Sequence, residues 1–256
     1  MKDLGIVVVN YHTDSLLRAF LDSLKEFAPK SSYDVIIQDV HRTAPTKYLG
    51  FDALKHNFYE DNIGYARACN LGAQQLKTKY LAFFNADTKF VNDTCLDTCV
   101  DYLKDNPDVG AVGPLQYDSS GAATHAGIFG SNEFPKFRGW KQRDLDSFRD
   151  VKEALTVSGS AYFTPTKLWK EMTECETYQK AAPGAEGGFL PTPLYYEETF
   201  YSFHLRQHNY KVMYLGTAEM IHEWAASSTR DGQIRGMALA RKIFREACDV
   251  HGIAHE

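Results

Sequence analysis

Long hydrophobic runs are missing from this 256-residue sequence, and no stretch reaches the ~18 apolar residues of a membrane-spanning helix. No signal peptide is expected either, because Met1-Lys2-Asp3 leads straight into a strand-like segment. Paired cysteines are absent. The five (Cys69, Cys95, Cys99, Cys175, Cys248) are odd in number and form no Cys-x-x-Cys, so reduced thiols of a cytoplasmic protein are expected. Cys95 and Cys99 share a helix face, but no His or Cys stands at zinc spacing from them, and packing is the expected role. There is no excess of basic charge. With 28 basic against 33 acidic residues the net charge is −5, which argues against a molecule built as a whole for nucleic acid or anionic membrane. Low-complexity linkers and internal repeats are lacking too.

What is present is alternation of strand and helix. Leu4–Val9 is a continuous, largely β-branched run, the mark of a strand buried on both faces. Asp14 is expected to cap a helix with the stripe Leu16, Leu17, Phe20, Leu21, Leu24 and Phe27, ending before Pro29. Strands are expected at 34–38, 80–84 and 110–115, with helices at about 64–77 and 93–104. This pattern implies an α/β fold, Rossmann-like, with a mostly parallel sheet flanked by helices. Farther on, 117–149 reads as hairpins and loops, and 155–164 as a strand passing through Ser158-Gly159-Ser160. The Gly-, Pro- and Ala-rich segment 175–193 reads as a mobile loop or lid. A helix from Glu197 to Gln207, a strand at 211–215 and a tail helix over 231–251 complete the pattern. The tail helix is expected to turn Ile234, Ala238, Ile243, Phe244 and Ala247 inward.

Asn85-Ala86-Asp87 follows the apolar run Tyr80–Phe84. A carboxylate at the carboxyl end of a buried strand stands where open α/β sheets bind ligands, and it can hold a divalent cation against a diphosphate. Taken alone, Asp87 can also be a plain strand-end residue, His222 a satisfied structural histidine, and Glu197-Glu198 a match to a helix dipole.

Six segments in order resemble the inverting family-two glycosyltransferases with the GT-A fold, the fold of nucleotide-diphospho-sugar transferases. They are Val9-Asn10-Tyr11 after the first strand, Asp39 after the second, and the block Asn62-Ile63-Gly64-Tyr65-Ala66-Arg67-Ala68-Cys69-Asn70-Leu71-Gly72. Asn85-Ala86-Asp87-Thr88 stands for the DxD motif, Tyr195-Tyr196-Glu197-Glu198 for the acidic "ED" element, and Ile221-His222 for a late histidine. The sequence departs from the family pattern at Asn85, at Val40, at Glu198 where Asp is commoner, and at Phe200 and His204, where Asp and Arg are usual.

The resemblance implies Mn²⁺ or Mg²⁺ held by Asp87 and His222. It implies a nucleotide-sugar site of Val9, Asn10, Tyr11, Asp39, Asn62, Arg67, Asn85, Ala86, Ser158 and Gly159. Asp39 would accept hydrogen bonds from base or ribose, and Arg67 would reach the diphosphate. Glu198 would be the general base, with Glu197 as alternative base or acceptor binder. Gly64 and Gly72 are expected to permit close helix packing. The stretch 134–143 interleaves Phe134, Phe137 and Trp140 with four cations, and reads either as an acceptor-binding loop or, with more weight, as a solvated hairpin whose aromatics pack on the sheet. Trp224 is a further candidate for the acceptor cleft.

One GT-A domain is expected over 1–256, with a nucleotide-binding half (1–116), an acceptor half (117–228) and a C-terminal helix (229–256). The implied partners are a UDP- or dTDP-linked sugar donor and a glycan, lipid-linked or other hydroxyl acceptor, with a nucleic-acid acceptor weakly supported. The implied location is cytoplasmic, with a peripheral membrane association as the variant. Two other readings stand beside it. A nucleotidyltransferase would share the fold but wants a phosphate loop rich in glycine and basic residues soon after the first strand, where this chain has Asn10-Tyr11-His12-Thr13. A non-catalytic nucleotide-sugar-binding module would tolerate the departures.

Overall fold

A computed structural model describes residues 1–42, 51–53, 55–224 and 230–255, with the backbone alone over 230–235. The amino-terminal portion runs β1 (Lys2–Asn10), α1 (Asp14–Glu26), β2 (Tyr33–Val40), β3 (Lys55–Tyr59), α2 (Tyr65–Gln74), β4 (Thr78–Asn85), β5 (Thr88–Phe90), α3 (Cys95–Asp105) and β6 (Val109–Tyr117). Short strands β7 (Ala123–His125), β8 (Ile128–Gly130), β9 (Pro135–Phe137) and β10 (Val151–Glu153) follow. The chain ends with β11 (Ala161–Pro165), α4 (Thr166–Glu174), α5 (Glu176–Ala181), α6 (Glu197–Gln207), β12 (Lys211–His222) and α7 (Arg230–His251).

The main sheet is ordered β10-β12-β6-β11-β4-β1-β2-β3. β1 pairs in parallel with β2 and β4, β2 with β3, and β6 with β12, while β11 is inserted antiparallel between β4 and β6. The result is a mixed, mostly parallel sheet flanked by helices. Alternation along the strands feeds two cores. Leu4, Ile6, Val8 and Phe84 meet α1 and α3 on one face, and Val7, Ile36 and Phe83 meet α2, α4, α5 and α6 on the other. Cys95 and Cys99 are fully buried in the first of these cores, as packing residues. Gly72 is where α2 crosses β1: a Cβ there would stand 2.6 Å from Val7 Cγ1, so only glycine allows this approach. Gly64 acts differently. It adopts φ +79° ahead of α2, and a Cβ there would meet nothing closer than 3.8 Å, so its backbone conformation and not close packing calls for glycine.

Several expectations are corrected. Thr13, not Asp14, is the N-cap of α1, and Asn10 Oδ1 accepts from the Thr13 backbone N–H at 3.1 Å and its hydroxyl at 2.8 Å. The segment around Ser158–Ser160 is a turn, and the strand begins at Ala161. In α7 the inner side is Ala240, Phe244, Ala247 and Cys248, with Ala238 exposed; the Ile234 side chain lies outside the described residues.

The segment 175–193 is no detached lid. It contains α5, and Phe189 is fully buried with its ring 4.8 Å from Phe83 and 5.3 Å from Trp169. Asn70 clamps it like a strand partner, donating from Nδ2 to the Phe189 carbonyl at 2.8 Å and accepting its N–H at 3.0 Å. Replacing Phe189 with Ala is expected to cost about 3–5 kcal/mol in denaturant unfolding. A loss under about 1 kcal/mol would show the segment to be loosely held.

Candidate active site

The carboxyl ends of β1 and β4 open into a cavity of about 1110 Å³. Backbone pairing brings its chemistry together. At the end of β4, Asn85 N–H donates to the Ser160 carbonyl (3.2 Å) and Ala86 N–H to the Val9 carbonyl (3.1 Å), so Asp87 is held where the chain turns into β5. β5 then pairs antiparallel with β12, placing Thr88 opposite His222. Two residues far apart in sequence thus become neighbours: His222 Nε2 lies 3.5 Å from Asp87 Oδ1, and both side chains are buried.

Gln116, at the end of β6, sets the histidine. Its Oε1 lies 2.9 Å from His222 Nδ1 and can only accept, so Nδ1 carries the proton and Nε2 turns its lone pair toward Asp87. Ser160 Oγ supports the same nitrogen at 3.2 Å and donates to Gln116 Oε1 at 2.9 Å. An imidazole nitrogen and a carboxylate oxygen at this separation, with an outer amide holding the tautomer, form a donor set that fits a borderline-hard divalent cation. Nearby His125 also faces the cavity; burial first, and then His222, push it down to about 3.

The second half of the site is Glu197-Glu198 at the start of α6. The preceding Tyr195 and Tyr196 both have φ +67°, a left-handed pair of non-glycine residues that swings the helix N-terminus into the cavity. Thr192 Oγ1 ties this turn down through the Tyr195 carbonyl at 2.7 Å, and Tyr196 stacks on Phe244 of α7 at 5.0 Å. Burial holds both carboxyls well above the usual range, and the Glu197 charge raises Glu198 further. Gly159 lies against them. A Cβ there would meet Glu198 Oε2 at 3.2 Å and Glu197 Oε1 at 3.5 Å, and its carbonyl accepts from Tyr65 Oη at 2.5 Å.

Of the expected site residues, the cavity gathers Val9, Tyr11, Asn62, Asn85, Ala86, Asp87, Ser158, Gly159, Glu197, Glu198 and His222. Three stand elsewhere. Arg67 points away and forms an ion pair with Glu186 at 2.7 Å, because α2 presents it to the 175–193 segment. Asn10 and Asp39 are fully buried, Asn10 Nδ2 donating to Asp39 at 2.7 Å and His56 Nε2 standing 2.6 Å from its other oxygen; they tie strand ends to α1. Phe200 and His204 are fully buried on the far side of α6. Gln116 is not among the sequence expectations, although a lone polar residue closing an apolar strand is the same signal that marks Asp87; His125 carries no such signal.

At the cavity mouth Trp140 and Trp224 meet edge to face at 4.6 Å, with Arg241 and Arg245 of α7 also on the rim. The 134–143 hairpin divides its residues. Phe134 and Phe137 are about 70% exposed (69% and 72%), so they do not pack on the sheet, whereas Arg138 pairs with Asp150 at 2.6 Å and covers Phe148 at 5.1 Å.

The family model described as Glycosyl transferase family 2 matches residues 5–152, more than half of the chain, and the chain belongs to that family. No curated protein sequence matches it. Among solved structures it is similar to GalNAc-T7 with UDP, GalNAc and Mn²⁺ (TM-score 0.64, 13% identity, 100% of this chain and 55% of that one). It is also similar to the mannosyltransferase PcManGT from Pyrobaculum calidifontis in complex with GDP-Man and Mn²⁺ (TM-score 0.65, 15% identity, 97% of this chain and 66% of that one). The chain thus spans somewhat over half to two thirds of these neighbours, and they establish the GT-A fold. Among the described residues no helix is long and apolar enough to cross a membrane.

The raised Glu198 carboxyl has a thermodynamic consequence. The folded state holds this proton more tightly than the unfolded chain, so the stabilisation is fully present below the ordinary value of 4.5 and is lost as pH rises through the higher folded value. Glu198→Gln is therefore expected to raise unfolding stability by about 1–2 kcal/mol at pH 8 and to leave it unchanged at pH 4. Equal effects at both values, measured by thermal unfolding, would contradict this environment for the carboxyl.

Proposed function

We propose that this chain is a divalent-metal-dependent, inverting glycosyltransferase that moves one sugar from a nucleoside diphosphate donor to an acceptor hydroxyl. The observation that carries this is a single turn touching both halves of the chemistry: Ser160 meets His222, and Gly159 meets the Glu198 carboxylate. A site for diphosphate charge and a basic carboxylate therefore face one cavity.

Asp87 and His222 are the residues that would hold Mn²⁺ or Mg²⁺. When bound, the cation supplies charge neutralisation for the departing nucleoside diphosphate. The rest is done by the chain. Val9, Tyr11 and Asn62 line the donor side, and Asn85, Ala86 and the small Ser158-Gly159 turn let the sugar approach the backbone. Glu198 removes the acceptor proton as the oxygen attacks from the side opposite the leaving group. Its raised affinity for protons suits this step near neutral pH, where proton transfer to it is favourable while an ionised fraction remains. Glu197, tied to Thr192, orients the acceptor and raises its neighbour. Trp140 and Trp224 offer ring faces and edges to an acceptor sugar.

The division into a nucleotide half (1–116), an acceptor half (117–228) and a closing helix (229–256) belongs to this proposal, as does a UDP- or dTDP-linked donor. The similar structures carry UDP in one case and GDP-mannose in the other, so a panel of UDP-, dTDP- and GDP-sugars with Mn²⁺ is the first assay. Slow release of nucleoside diphosphate from one donor is expected even without acceptor. A nucleotidyltransferase would release no nucleoside diphosphate from these donors and would form pyrophosphate only from a nucleoside triphosphate and a sugar phosphate, and a binding module would release nothing.

Glu198→Gln is expected to lower transfer by about 10²–10⁴-fold while nucleotide affinity stays within about twofold; undiminished turnover would reject it as base. Asp87→Ala is expected to abolish the Mn²⁺-dependent part of nucleotide affinity in calorimetry. An unchanged Mn²⁺ dependence would remove Asp87 from the metal site.

A further inference from the structure

Behind α6, on the side away from the cavity, four side chains with metal-binding chemistry converge. Cys175 stands at the joint between α4 and α5, His204 and His208 lie one turn apart at the end of α6, and His251 closes α7. Ligand atoms of Cys175, His204 and His208 all lie within 4.8 Å of one another. Cys175 Sγ is 3.5 Å from His204 Nε2, near the separation of two ligands on one tetrahedral ion.

The hydrogen bonds around the cluster allow the right atoms to be freed by a change of tautomer. His208 Nδ1 lies 2.9 Å from the His204 backbone carbonyl and must donate to it, so its Nε2 keeps a lone pair. His204 Nδ1 lies 2.6 Å from His251 Nε2, so a shift of the His204 proton to Nδ1, donating to His251, would turn the Nε2 lone pair toward Cys175. That same Nε2 stands 3.1 Å from the Met172 carbonyl, which can only accept, so Nε2 donates to it here and a bound cation would take that proton's place. His204 is fully buried and His208 exposed, giving the site an inner anchor and an open door.

We propose a second metal site here, with Cys175 Sγ, His204 Nε2 and His208 Nε2 as ligands for Zn²⁺ or a similarly borderline-soft divalent ion, and His251 as the outer partner that orients His204. Two nitrogens and one thiolate select such an ion over Mg²⁺, and a water entering beside His208 completes four-coordination. Binding displaces the Cys175 thiol proton to solvent. The ion clasps the α4–α5 joint to the carboxyl end of α6, whose amino end carries Glu197 and Glu198. It stiffens the helix that presents the acidic pair without taking part in the reaction.

The test uses the full chain, stripped with a chelator and titrated with Co²⁺ as a spectroscopic probe. Expected is one tetrahedral Co²⁺ with visible bands and a thiolate-to-cobalt charge-transfer band, displaced by equimolar Zn²⁺, beside any Co²⁺ taken up at Asp87 and His222. Asp87→Ala should keep that band, Cys175→Ser should lose it, and the exposed His208→Ala should weaken Co²⁺ binding at least tenfold. Zn²⁺ should raise the unfolding temperature of Asp87→Ala but not of the double variant that also carries Cys175→Ser. Saturation of the wild type without a thiolate band, or a band that survives Cys175→Ser, would overturn the site. Neither result bears on whether the chain transfers sugar, because the readout is binding.

Discussion

Everything proposed for this cavity depends on the turn Ser158-Gly159-Ser160. One of its hydroxyls lies 3.2 Å from the imidazole that faces Asp87, and its glycine lies close enough to the Glu198 carboxylate that a methyl group would crowd it. The turn precedes β11, the antiparallel strand wedged between β4 and β6. A mostly parallel sheet is thereby forced to deliver a reversing chain at the carboxyl ends of its strands, where ligands of such sheets bind. Larger side chains in the turn would separate the two halves of the site or fill the space between them.

The fold spends stability there and recovers it elsewhere. Consecutive left-handed tyrosines and two carboxyls held above their ordinary range are each unfavourable. They persist because what surrounds them is rigid: a strand core with no exposed apolar residue from Leu4 to Val8, the aromatic cluster of Phe83, Trp169 and Phe189, and the Asn70 clamp. A cation and an anionic donor bound by the folded chain would add to its stability.

The two-sided strands and amphipathic helices are legible in the sequence because apolar periodicity is a local property, and Leu4–Val9, Tyr80–Phe84 and α1 show it plainly. β3 and β5 are not. β3 is a half-exposed edge strand, and β5 has three residues whose existence depends on a partner in β12. The candidate site follows the same rule. Asp87, Glu198 and His222 can be selected because each follows or opens a periodic segment in the family's order. Asn10, Asp39 and Arg67 satisfy the same criterion, yet their side chains are engaged by neighbours no local pattern names, such as His56 and Glu186. The Cys175–His204–His208 cluster is invisible for the converse reason, since only the folded chain brings Cys175 and His204, 29 positions apart, into contact.

The most direct test is a crystal structure of the chain with Mn²⁺ and a nucleoside diphosphate, read by anomalous scattering from manganese. The account predicts one strong peak between Asp87 and His222, bonded to both and to the diphosphate, with the Glu198 carboxylate facing the same cavity across the turn at Gly159. Manganese bound away from Asp87 and His222, or a diphosphate seated outside this cavity, would contradict it.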